Sequence, residues 1–100
     1  MLLEWCDGMP PRWWLFSVED ALIDVLRERP EVGALDGNEV SPGGATIYLY
    51  GPDGDALWRT VESTVRKIVP PPTRVTVKAG GFDAVSREIF RRDLDAPMQD

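Results

Sequence analysis

The stretch from Ala45 to Ile68 constrains this chain most. Ala45-Thr46-Ile47-Tyr48-Leu49-Tyr50 alternates with the period of a strand, and Gly51-Pro52-Asp53-Gly54 breaks it. Leu57, Val61, Val65 and Ile68 then recur at helical spacing. A strand that hands its chain to an amphipathic helix is half of a βαβ unit. The flanking segments must supply the other half.

Upstream, Arg12-Trp13-Trp14-Leu15-Phe16 is short and aromatic-rich, which reads as a strand, and Leu2–Cys6 reads as a short extra one. Ser17 with Asp20 three residues on resembles a capping box. Val18, Ala21, Leu22, Val25 and Leu26 then share one helical face, with Glu19, Asp20 and Asp24 in the first turns, and Pro30 stops the helix. The interrupted stretch Glu31–Ser41 reads as a bent or bulged strand. Ser41-Pro42-Gly43-Gly44 is a hairpin turn, with Pro42 presetting φ and Gly43 supplying a positive one. Asp53 or Asp55 caps the second helix, which runs to about Ile68 before Pro70-Pro71-Pro72. Thr73–Lys78 alternates as a half-buried strand, and Ala79-Gly80-Gly81 ends it. Residues 83–94 fit either period and are assigned a short helix.

The predicted order is strand, helix, strand, strand, helix, strand. It is the α+β, ferredoxin-like split βαβ arrangement, with a four-stranded antiparallel sheet, two helices on one face and a short C-terminal element. Residues 1–11 form a lead-in, 12–94 a single domain and 95–100 a tail. That fold hosts many unrelated functions and assigns none.

Composition narrows the chemistry. The 100 residues carry a net charge of −6, unevenly placed. Residues 1–58 hold eleven acids and three bases, and residues 59–92 hold three acids and eight bases. This implies an acidic front and a basic back. There is no histidine, hence neither the usual general base nor the commonest metal ligand. The one cysteine, Cys6, can form no intrachain disulfide and has no catalytic partner. No apolar run spans a bilayer and the N-terminus does not read as a signal peptide, so the expected location is cytoplasmic. No cofactor or metal is expected. The best carboxylate grouping, Asp36, Asn38 and Glu39, lacks a calcium-loop pattern. Gly51–Asp55 lacks the lysine of a phosphate loop.

Two surfaces remain. Asp20, Asp24 and Glu28 repeat every four residues and make an acidic row on the first helix. On the sheet face away from the helices, Tyr48 and Tyr50 stand near Arg74 and Lys78, and one of Trp13 or Trp14 also points away from the core, with Trp14 taken as the candidate. Tyrosine, tryptophan and arginine are common interface anchors. The expectation is a small non-enzymatic protein-interaction module of the inhibitor, immunity or regulatory-subunit type. It binds a partner through the acidic helix face or the aromatic sheet face. The alternative is a ligand or single-stranded RNA binder using the open sheet, which the acidic balance opposes. An open aromatic face also allows homodimerisation.

Overall fold

A computed structural model describes residues 1–78 and 86–91, leaving out the side chains of Lys78 and Ser86. The fold is α+β. The elements run β1 (Leu2–Trp5), α1 (Arg12–Arg27), β2 (Ala34–Ser41), β3 (Gly44–Tyr50), α2 (Gly54–Arg66), β4 (Arg74–Lys78) and β5 (Ser86–Arg91). The five strands form one antiparallel sheet in the order β2-β3-β1-β4-β5. Among the described residues five strands, rather than the expected four, set the width of the sheet.

The first strand is the largest correction. Leu2–Trp5 is a central strand, whereas the aromatic run from Arg12 is the opening of α1. Pro11 in an extended conformation sits at the helix N-cap, and Leu15 N–H donates to its carbonyl at 3.2 Å. Leu15, Val18, Leu22 and Leu26 are buried. Leu15 thus extends the apolar stripe one turn upstream, and burial of that stripe outweighs the strand preference of the aromatics. Ser17 is therefore no cap. Its hydroxyl donates to the Trp13 carbonyl one turn back, at 3.0 Å. The first turn holds no acid, so Asp20 and Asp24 lie in the body of the helix, beyond the reach of its N-terminal dipole.

The hairpin falls where the residues place it. Ser41 pairs with Gly44 across Pro42-Gly43, and a bulge between Leu35 and Gly37 bends β2. Gly43 keeps a negative φ, however, so the turn does not use a left-handed glycine there. Gly44 answers a different constraint: a Cβ on it would collide with the carbonyl oxygen of Trp5 in the neighbouring strand. Asp53 caps α2 by accepting from the N–H groups of Asp55 (3.0 Å) and Ala56 (3.3 Å).

The C-terminal part of 83–94 corrects the helix assignment: Ser86–Arg91 is a strand on the outer side of β4. Val75 opposes Phe90 while Thr76 opposes Glu88, so Ile89 is the extra residue of a bulge. Phe90 thereby reaches the core, and the strand satisfies the outer backbone groups of β4. The glycine break at 79–81 and the tail at 95–100 lie outside the described residues.

Both helices cover one sheet face. Leu3, Ile47 and Val75, adjacent on β1, β3 and β4, are fully buried beneath Leu22, Val61 and Val65. At one end of this core Trp5 and Trp14 meet edge to face, 5.2 Å between centroids at 86°. Their indole N–H groups donate to consecutive carbonyls, Trp5 to Pro70 at 2.9 Å and Trp14 to Val69 at 2.8 Å. The pair ties β1 and α1 to the proline turn after α2. Replacing Trp5 by Phe removes a donor from a part-buried carbonyl and should cost about 1–2 kcal/mol; Trp14→Phe, at an exposed bond, should cost about half that. Urea denaturation of the two variants checks the order of the losses.

Candidate functional site

The outer face of α1 is one candidate surface. Asp20, Asp24 and Glu28 are all exposed, Glu28 as the C-cap residue. Asp24 lies 3.3 Å from Arg27 in a highly exposed pair, which offsets little of the row's field. Trp13 stands seven residues before Asp20, two turns along the same side, and is 70% exposed. Phe16, one turn on, is 52% exposed. The helix therefore shows two aromatic rings to solvent beside three carboxylates.

Trp14, the tryptophan singled out from the sequence, is half-buried against Trp5 and anchors the loop. The exposed ring belongs to its neighbour Trp13. The periodicity of α1 contained that signal. Once Leu15 and Val18 are placed inward, Trp13 and Phe16 must turn outward.

The sheet face that no described element covers is the second surface. Leu2 and Glu4 of β1 lie between Tyr48 and Thr46 of β3 and Thr76 and Arg74 of β4. Tyr50 projects 76% exposed at the end of β3. This face brings together Tyr48, Tyr50 and Arg74, and it adds Glu39, Glu88 and Arg91 from β2 and β5. The backbone of Lys78 lies in β4 opposite Ser86, and its side chain is outside the description.

Most charges on this face are already paired. The Arg74 guanidinium forks onto Glu4, Nε to Oε1 at 3.1 Å and Nη2 to Oε2 at 3.0 Å. That contact raises the arginine pKa further above its ordinary value. Arg91 donates to Glu88 at 2.9 and 3.1 Å. The Tyr48 hydroxyl is hydrogen-bonded to Glu39, and this bond, with the charges of Glu39 and Glu4, pushes the phenol pKa above 10.0. A phosphate approaching Arg74 would have to displace a bidentate carboxylate from it.

The hard-ligand grouping in β2 is dispersed. Asp36 sits at the bulge, Asn38 donates to Glu19 on the helix side at 2.9 Å, and Glu39 faces the other way towards Tyr48. Among the described residues, no three carboxylates or cysteines converge as a metal site. No helix among them is long and apolar enough to cross a membrane. A cavity of about 440 Å³ opens between the end of α1 and the start of α2 and is lined by Val25, Glu28, Arg29, Val32, Ala56, Arg59 and Thr60.

No protein-family model, curated protein or solved structure matches this chain.

The Tyr48–Glu39 contact gives a direct electrostatic check. A phenol pKa raised in the folded state favours the neutral form, so this contact stabilises the fold at neutral pH. The contribution is lost as pH rises through the elevated folded value. Glu39→Gln should lower the phenolate midpoint of Tyr48, followed by ultraviolet difference titration against the same substitution in a Tyr48→Phe background.

Proposed function

We propose that this chain is a small protein-interaction module whose primary contact surface is the outer face of α1. The observation that carries the reading is the exposure of Trp13 and Phe16 beside Asp20, Asp24 and Glu28. Exposed aromatics next to charge that no cap or dipole requires are the composition of an interface, with rings as anchors and carboxylates as steering groups. The partner surface is accordingly basic and holds an apolar recess. An inhibitor, immunity or regulatory-subunit role fits a module that works by occupying such a surface. The same proposal treats β1–β4 with the two helices as a ferredoxin-like core that β5 extends, a reading supported by the position of β1 between β3 and β4.

The open sheet supports a second, lesser reading, carried by Tyr50 standing free beside Tyr48. Its aromatics suit stacking or self-association, but the closed Glu4–Arg74 and Glu88–Arg91 pairs oppose nucleic-acid phosphates.

The test is capture from native lysate with tagged wild type and two variants, Trp13→Ala and Asp20→Lys/Asp24→Lys. A stoichiometric basic protein held by wild type should be lost from both. Charge reversal should slow its association by about tenfold or more at low salt, and Trp13→Ala should mainly speed dissociation. A partner that ignores both variants but is lost on Tyr48→Ala/Tyr50→Ala would move the function to the sheet.

A further inference from the structure

We propose that β2 is a docking edge that accepts an extended segment of a partner protein as an additional strand, and that this segment alternates basic and apolar side chains. The inference rests on the interaction-module reading and gives its partner a chemistry.

β2 stands at one end of the sheet, with β3 on its inner side and no strand on its outer side among the described residues. Edge strands are blunted by charged side chains, above all lysine, by proline, by bulges or by a covering segment. Ala34–Ser41 contains neither lysine nor proline. Its bulge is confined to the start, and Gly37–Ser41 continues in regular register.

The flank of this edge is apolar. Asn38 and Val40 lie opposite the buried Ile47 and Ala45, so they point to the helix side. There Asn38 meets Glu19 of α1. Phe16 and Ile23 lie three residues before and four after Glu19, on the same side of the helix. Phe16, Ile23 and Val40 are 52%, 38% and 42% exposed, a seam that runs beside the unpaired backbone. A cavity of about 370 Å³ between Ile23 and Leu35 ends the seam and can receive one apolar side chain.

Charge selects the occupant. The strand carries Asp36 and Glu39 and no base, and Glu19 of α1 meets Asn38 beside it. A second copy pairing β2 against β2 would set acids against acids. β5 of a second copy brings Arg87 and Arg91, but these are held by Asp55 and Glu88. A basic strand from another protein meets Glu39, which faces away from the helices, with one row of side chains and the seam with the other. Its backbone pairs with β2 in the manner of strand addition.

The probe is a capped decapeptide alternating lysine and valine, compared with a glutamate–valine peptide and with a lysine–valine peptide N-methylated along one backbone edge. The lysine–valine peptide should bind at least about tenfold more tightly than either control and slow amide exchange at Gly37–Ser41. Phe16→Ser/Val40→Ser should weaken it while leaving the unfolding midpoint unchanged. Equal binding of the N-methylated peptide, protection elsewhere, or no binding at millimolar peptide overturns the proposal. Asp20→Lys/Asp24→Lys separates it from the helix-face reading. Loss of binding there with indifference to N-methylation leaves the helix surface and removes the edge. The reverse pattern removes the helix surface and leaves the edge.

Discussion

The structure depends on one strand of four residues. β1 lies between β3 and β4, and its Leu3 side chain is fully buried between Ile47 and Val75. Without β1 the sheet is two separate hairpins, β2-β3 and β4-β5, and isolated hairpins are marginal in water. Trp5, at the end of the same strand, fixes α1 through Trp14 and the turn after α2 through Pro70. One segment thus closes the sheet and orients the layer above it.

This geometry decides which surfaces are available for binding. Both helices are drawn to one face, so among the described residues the other face of β1, β3 and β4 stays uncovered, and it settles its charges internally through Glu4–Arg74 and Glu39–Tyr48. The helix side is different. Its outer row carries rings and carboxylates that are not consumed by folding, and it adjoins the open edge of β2. The helix face and the strand edge meet along Phe16, Glu19 and Ile23, so a partner that engages one is positioned to reach the other.

Much of the core was legible from residue spacing. Ala45–Tyr50, the α2 stripe and the β4 alternation were read from period alone, and Asp53 was readable as a cap because its side chain is short and the helix begins at once. The misplaced elements share a cause. Leu2–Trp5 reads as a strand but only as an extra one, because its central place comes from pairing with residues 40 or more positions away. Arg12–Phe16 has strand-like composition, yet Leu15 belongs to a stripe whose remaining members lie downstream. Ser86–Arg91 contains a bulge, which breaks the alternation that would have marked it. The acidic row on α1 was visible because helical spacing fixes it locally. The choice between Trp13 and Trp14 depended on where the helix starts. The edge of β2 was not visible, because a strand's place in a sheet is a property of topology.

Trp13 and Phe16 are proposed to serve binding and not folding. Equilibrium urea unfolding of Trp13→Ser/Phe16→Ser tests it most directly. If the rings have no structural duty, the folding free energy should change by no more than about 0.5 kcal/mol, as for ordinary surface substitutions. A loss of about 2 kcal/mol or more would show that the rings pack within the fold, and would contradict the assignment of this helix face to a partner.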